Sequence, residues 1–483
     1  MVSAYRCGGD IMGQLVDIKL DKKLFKNVDE DALTATFTAL ENCFVTESSG
    51  LSKFPGLKQF VDFDSDGDMY INRNGNDMMA VGSDGRTFRI NTAGDKTEVE
   101  GPSVLGGDRV SFARSRDGLM MAAGRQIINY DGEKNSVLSP DAPLSSFVGF
   151  VDGYALAVEK GSGRFQHSDL NNFQSWPGIN TFGVDSNPDN INAMLVTPYN
   201  ETLFSGEESI EQYERYIGGQ VPFFRRWSIS DGISEPGTLC YADNSVWGLN
   251  ERLEFVRLTG QTTRSVSDDI GKEIEERYSF ANLSSLNNAW AYQLFAKGQK
   301  FIIFQSPDAE NSYGTKGFTA VLDIRRNQWF EIFGWNDALG VPDLWPGRSI
   351  FHMWNKTFVG GKGKIYELSN DTYQNDGEVQ RAYMKTSHFD SLGTIRINKV
   401  RITIKRGVGS YTFNPKIMFR TNPDQKGFGT MQYRNLGKTG DNNMIIEFGA
   451  QGIADTFQFE MSVTDDCPFE IRRLQLDVDK VKR

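Results

Sequence analysis

Three Gly-Arg pairs recur at a fixed interval in this chain. Gly85-Arg86, Gly124-Arg125 and Gly163-Arg164 are each separated by 39 residues. Each opens a strand-like stretch: "GRTFRIN", "GRQIINY" and "GRFQHS". Weaker equivalents follow in "ESIEQYERY" near Ser209, "NERLEFVRL" at Asn250, "GFTAVLDI" at Gly317 and "GKIYEL" at Gly363. A period of about 40 residues holding several short strands is the mark of propeller blades. A small sheet of that length cannot bury both faces alone, so its copies must ring up. The spacing therefore predicts an all-β fold with a β-propeller of six or seven blades. An ordinary β-sandwich with chance spacing is the weaker reading, because it leaves the repeated pair unexplained.

The turns agree with strands. Asp-Gly recurs at Asp66, Asp84, Asp117, Asp131, Asp152, Asp231 and Asp376, and Asn74-Gly75 adds another. Such pairs between apolar runs signal two-residue hairpins, which need positive φ. The run "DFDSDGD", Asp62 to Asp68, places carboxylates at alternate positions. Counted as a calcium loop from Asp62, it puts Arg73 where a bidentate Glu belongs. Counted from Asp64, it puts Met69 where the Gly belongs. The run is therefore read as a solvated acidic loop, with Asp66-Gly67 as a hairpin turn.

Three segments depart from the repeat. Between Asn250 and Gly317, Ile270, Ile274 and Tyr278 fall at i, i+4 and i+8 behind Asp268 and Asp269. This predicts a short amphipathic helix in an insertion at about 265–288. After Gly377 the texture becomes long alternating strands, such as "INKVRITIKRG" and "DTFQFEMSVTDD". Residues 377–483 are read as an antiparallel β-sandwich. Residues 1–47 lack the repeat and are read as an extended arm, which leaves 48–376 as the propeller body. Its first strand, in "FPGLKQFVDF", is expected to pair with the last blade near Lys364 to Leu368. A ring must join its ends, and strand exchange satisfies the edge that would otherwise stay open.

Sites of chemistry are scarce. The net charge of −11 offers no basic surplus for gripping DNA phosphates. No run of apolar residues approaches the ~20 needed to span a membrane, and no secretory signal pattern opens the chain. Cys7, Cys43, Cys240 and Cys467 are far apart and read as buried thiols. His167, His352 and His388 have no metal-ligand spacing. "GKT" at Gly437 has Gln432 where a phosphate loop needs Gly, and "GVGSYT" at Gly407 has Thr412 where a dinucleotide turn needs one. A propeller glycosidase would need two carboxylates across a pocket. Glu207, Glu208, Glu211 and Glu214 are the candidates, and Trp329, Trp335, Trp345 and Trp354 could form a sugar platform. Neither a catalytic constellation nor a cofactor or metal site is expected.

Seven stretches, taken in order, resemble one family. They are "SSGLSKFPGL", "LFSGEESIEQY", "SISDGISEPGTLCYADNSVWGLN", "SVSDDIGKEIEERY", "QKFIIFQSPD", "AVLDIRRNQWFEI" and "GKIYELSNDTY", covering about residues 48–375. The family is the packaged-DNA stabilisation proteins of short-tailed bacteriophages, also called tail hub or nozzle proteins. Its marks here are Phe54, Pro55, Gly56, Ile210, Tyr213, Asp231, Gly232, Trp329, Gly363 and Tyr366. The resemblance implies a structural, non-enzymatic virion protein of the tail, assembled in the host cytoplasm. It implies a ring of copies, a hexamer, that continues the DNA channel below the portal and its adaptor. The implied partners are that adaptor, tail fibres, spikes or a needle, and passing double-stranded DNA read without sequence recognition, with no membrane anchor. The rival is a propeller-type glycosidase or depolymerase of a phage tail. A bacterial scaffolding propeller is a third reading.

For the acidic run, calorimetry with millimolar calcium is expected to show no heat of binding. A stoichiometric signal removed by Asp64→Asn would contradict the loop reading.

Overall fold

The computed structural model describes residues 14–20, 34–35, 37–46, 50–184, 189–218, 221–268, 270, 288–405, 409–441 and 445–481. The chain divides into two compact units. One holds residues 59–327 and 346–368, the other residues 1–58, 328–345 and 369–483. Most of the expected helical insertion at 265–288 lies outside the described residues. Among those described, the regular structure is strand, with two short 3₁₀ turns.

The first unit is the β-propeller. Five four-stranded antiparallel sheets follow one another, at residues 69–98, 111–137, 148–183, 193–229 and 240–265. Three antiparallel strands of this unit come next: Trp290–Ala296, Gln299–Glu310 and Lys316–Asp323. The last blade is Ser349–Met353, Lys356–Gly360 and Lys364–Ser369. Its fourth strand is Gly56–Asp62, from ahead of the first blade, as ring closure demands. The blades bury their faces against each other. One cluster joins Met69, Ile71, Met78 and Phe88 of the first blade to Met353, Phe358 and Ile365 of the last. Another joins Leu203 and Ile210 of the fourth to Val246, Val256 and Leu258 of the fifth. Second strands such as Asp77–Gly82 and Gly118–Ala122 are covered on both faces, which is why they read as unbroken apolar runs.

The Gly-Arg period has a structural cause. Each pair stands at the start of the third strand of its blade, ahead of Thr87–Ile90, Ile128–Tyr130 and Phe165 in Arg164–His167. There the backbone catches the linker that runs to the next blade. The Val104 amide donates to the Gly85 carbonyl at 2.9 Å, and the Val184 amide to Gly163 at 2.7 Å. In the second blade the Ser145 amide donates to Arg125 at 3.0 Å. In the fourth, the Ile233 amide donates to Gly206 at 3.0 Å. The last instance closes the ring: the Phe63 amide donates to the Gly363 carbonyl at 2.8 Å, and the Gly363 amide to Gly67 at 2.7 Å.

Two-residue turns with positive φ join the first two strands of several sheets: Asp152-Gly153, Asp243-Asn244, Lys297-Gly298 and Trp354-Asn355. Asp66-Gly67 is not such a turn. The strand Gly56–Asp62 ends before it and Met69–Asn74 begins after it, in a different blade. The acidic run is the closing linker, and cations face it. Lys364 Nζ lies 4.0 Å from Asp62, Lys96 Nζ 3.9 Å from Asp64 and Arg348 Nε 3.3 Å from Asp68.

The second unit gathers strands from early and late in the chain. Gln14–Leu20 runs antiparallel to Glu470–Lys480, and Phe37–Glu41 to Ala382–Thr386. The long strands Phe389–Ile404, Gly452–Val463 and Glu470–Lys480 form its sheet, with Phe419, Phe448 and Phe459 in the core. The sequence reads 1–47 as an arm and 48–376 as one body. The structure instead threads the described strands of the first 47 residues into this sheet and adds residues 50–58, 328–345 and 369–376 to the same unit. Strand partners hundreds of residues apart leave no local signature, so these boundaries were not legible.

Gly363 tests the closure. Its φ is +59°, and a Cβ there would lie 1.6 Å from the Ser65 carbonyl oxygen. Gly363→Ala is expected to cost about 3 kcal/mol or more. Gly298→Ala, at φ +75° with open space around it, should cost only about 1 kcal/mol. Urea unfolding of both variants checks this, and equal small losses would contradict the closing role.

Candidate functional site

The linkers that enter the innermost strands bring charged side chains to one place. Arg109 precedes the strand Ser111–Ser115 of the second blade. Its guanidinium lies 5.1 Å from the Tyr70 ring, 5.5 Å from Trp290 and 5.7 Å from Tyr292. Nη2 donates to the Arg348 carbonyl at 2.5 Å and to the Tyr292 hydroxyl at 3.4 Å. A Cβ on Gly237, just ahead of the fifth blade, would come within 3.1 Å of Arg109 Cδ. One side chain touches the first blade, the 290–323 sheet and the approaches to the fifth and last blades. Only the point where the sheets converge, the propeller axis, permits that.

A second arginine is fixed beside it. Arg348 Nη1 donates to Gln305 Oε1 at 2.9 Å, and that oxygen also accepts from Trp290 Nε1 at 3.0 Å. Gln305 Nε2 donates to Thr319 at 3.0 Å. Burial, and then the like charge of Arg109, pull the Arg348 guanidinium below its usual range, against the opposing effect of Asp68. Glu235 is 7% exposed. Burial pushes its carboxyl up to about 8, although the Gly237 amide and Arg109 act in the other direction. At neutral pH it holds its proton. Aromatic faces, paired hydrogen bonds and Asp68 therefore compensate two fixed cations. The cluster ties the blades together at the axis, with Asp68 offsetting charge there as an ion-pair partner of Arg348.

The family-like positions are not assembled into one site. Phe54 is buried against Phe44 and Phe330 at 6.4 and 5.7 Å, and Pro55 gives its carbonyl to Gln380 Nε2 at 3.1 Å. A Cβ on Gly56 would fall 2.3 Å from the Gln374 carbonyl oxygen. Trp329 is buried in the same unit. In the propeller, Ile210 is in the core between the fourth and fifth blades, and Tyr213 donates to the Gly183 carbonyl at 3.1 Å. Asp231 accepts from Thr263 and lies 3.4 Å from Arg252. A Cβ on Gly232 would meet the Glu207 carbonyl oxygen at 2.2 Å. Gly363 closes the ring, and Tyr366 is buried beside it in the last blade. These positions carry packing and close backbone approach.

The enzyme candidates scatter as well. Glu207 and Glu208 are exposed, whereas Glu211 is buried with Arg225 at 3.2 Å. Glu214 faces a cleft of about 450 Å³ between the fourth and fifth blades. Trp329 and Trp345 are buried, Trp335 is partly buried with the Arg381 guanidinium 5.9 Å from its ring, and Trp354 packs edge-on to Phe358 in the other unit. Cys43, Cys240 and Cys467 are buried free thiols, and Cys7 lies outside the described residues. His167 is buried against the Ser168 carbonyl at 2.7 Å, and burial lowers its pKa. Sequence reasoning missed the axial cluster. Its signal was an arginine just ahead of an innermost strand, in "DRVSF" and "GRSIF".

A sequence model of the family described as "Bacteriophage P22 Gp10, beta-propeller" matches residues 38–373. The chain belongs to this phage-stabilisation family. It is thus a structural bacteriophage protein, and the propeller of its family is the fold seen here. No curated protein matches in sequence. Solved structures resemble it distantly. The extracellular domain of the one-component system BT4673 from B. thetaiotaomicron aligns at 10% identity and TM-score 0.44. That alignment covers 84% of this chain and 58% of that one. Catalytically inactive virginiamycin B lyase from Staphylococcus aureus, solved with quinupristin, aligns at 13% identity and TM-score 0.42, covering 64% and 98%. Likenesses this weak carry no functional argument. No helix among the described residues is long and apolar enough to cross a membrane.

Glu235 gives the phage-stabilisation propeller a pH signature. Its folded pKa of about 8 stands above the unfolded value of 4.5. The stability it contributes is fully present below the lower value and is lost as pH rises through the upper one. Glu235→Gln, which keeps the neutral form, should remove that loss. Urea midpoints at about pH 5 and about pH 9 check it: the variant should gain on the parent by a few kcal/mol at the higher pH. A constant difference would contradict the assignment.

Proposed function

We propose that this chain is a tail nozzle subunit that forms a ring with its own copies, continues the DNA channel and retains the packaged genome. The family match over residues 38–373 carries this reading. The fold supports it. A propeller sealed through Gly363 and filled at its axis by Arg109 and Arg348 is a rigid block, so DNA would pass between copies rather than through a propeller. A heterologous contact that closes makes such a ring, and a propeller offers distinct sides for it. An assembly that resists internal pressure needs a large joint, beyond ~2,000 Å² per pair, as permanent complexes have.

The charge of −11 suits a conduit. DNA carries one charge per ~1.7 Å of axis, so a basic collar would multiply into friction during ejection. Weak, salt-sensitive binding to DNA is the expectation for the isolated protein. The ring is proposed to be a hexamer seated on the portal adaptor and to hold fibres, spikes or a needle. In this reading the protein performs no chemistry, acts in the virion tail and assembles in the host cytoplasm. Its second unit, which joins described strands from early and late in the chain, is the candidate for contacts with neighbours.

Phage particles made without the protein should package DNA and then lose it, and addition of the purified protein should restore retention. Particles that keep their genome and fail only at adsorption would point instead to a receptor-binding role.

A further inference from the structure

The cleft between the fourth and fifth blades has a composition that neither the ring nor the axial cluster requires. Its volume of about 450 Å³ falls within the range of small-molecule sites, about 300–1,000 Å³. Tyr199, Trp227 and Tyr241 line it, together with Glu201, Glu214 and Arg226. Tyr199 is 66% exposed. Trp227 and Tyr241 are partly buried, their inner faces held on the core of Leu203, Val246 and Leu258. Aromatic surface is therefore fixed in place, with polar groups around it.

The two carboxylates are neighbours by register. Thr202 pairs with Tyr213 at the end of the ladder, Glu201 and Glu214 follow these residues in the chain directions that lead out of it, and both line the cleft. Like charges on neighbouring strand ends repel. Their oxygens are partly engaged. Glu201 Oε2 accepts from Thr197 at 3.2 Å. Glu214 Oε1 accepts from Gln212 at 3.4 Å and lies 3.9 Å from Arg226 Nε. Carboxylate oxygens accept hydrogen bonds, so a ligand rich in donors suits this pair.

We infer that this cleft binds a neutral, hexose-based glycan. A pyranose presents an apolar C–H face, which stacks on aromatic rings, and a rim of hydroxyls, which donate to paired carboxylates. Carboxylates outnumber Arg226 here, so an anionic sugar is disfavoured. Binding occurs without turnover. A glycosidase sets its two carboxyl groups on either side of the scissile bond, whereas Glu201 and Glu214 flank one end of a single antiparallel ladder. The inference is independent of the ring reading, since a nozzle needs no such cleft.

The full chain is titrated with maltohexaose, cellohexaose and mannohexaose by calorimetry and tryptophan fluorescence. At least one should bind saturably at concentrations up to about 10 mM. Tyr199→Ala and Glu214→Gln should each weaken that binding by about tenfold or more. Tyr199 is exposed, so its replacement leaves folding intact, which a melting curve verifies. Tyr411→Ala, at an exposed aromatic of the other unit, should leave affinity unchanged. Absence of saturable binding to all three sugars, or affinity unaltered in both cleft variants, overturns the inference. Release of shorter sugars over time overturns its binding-only character in favour of hydrolysis.

Discussion

The propeller depends on one repeated hydrogen bond, from the amide of an inter-blade linker to a carbonyl in the turn between the second and third strands of a blade. A four-stranded sheet of short strands has two apolar faces and no means of covering both. The linker must return the chain to the axis at a set distance so that the next sheet stacks on the last. The Gly85, Gly163 and Gly206 carbonyls set that distance through Val104, Val184 and Ile233. Glycine or a turn is needed there because the linker passes close. A Cβ on Gly85 would come within 2.8 Å of the Val104 oxygen, and one on Gly232 within 2.2 Å of Glu207. At Gly363 the same bond is made by Phe63, a residue from the other end of the ring, and local geometry becomes closure.

The axis follows from the same constraint. Linkers that all return inward bring their side chains together, and two of those side chains are arginines. Burying guanidinium groups is costly unless their donors and charge are satisfied. Three aromatic faces and a backbone carbonyl meet Arg109, while Gln305 and Asp68 meet Arg348. Glu235 stays neutral because ionising in that place would cost more than Arg109 returns. The axis thereby carries polar groups whose charges offset one another. This is a rigid way to end a ring.

The blade repeat, the all-β class and the strand exchange at closure were legible in the sequence. Turn chemistry and close backbone approach select particular residues at particular spacings, so Gly-Arg and Asp-Gly announce them locally. The long alternating strands after Gly377 were legible for the same reason. The marks of family resemblance turned out to be packing positions, such as Phe54, Tyr213 and Trp329, and glycines with no room for a Cβ. They identify the fold rather than a surface.

Only the tertiary structure decided which remote segments meet. Asp66-Gly67 looks like a hairpin turn, yet it lies in the linker that joins the ends of the ring, because the strands on either side belong to different blades. The first described strands look like an arm, yet they pair with Glu470–Lys480 and Ala382–Thr386. The axial cluster and the cleft near Tyr199 are made of residues dispersed along the chain, each unremarkable where it stands. Local sequence determines turns, strands and their period, because those depend on backbone conformation and near neighbours. Charge compensation at the axis and the lining of a cleft depend on which blades converge, and that is settled only when the ring closes.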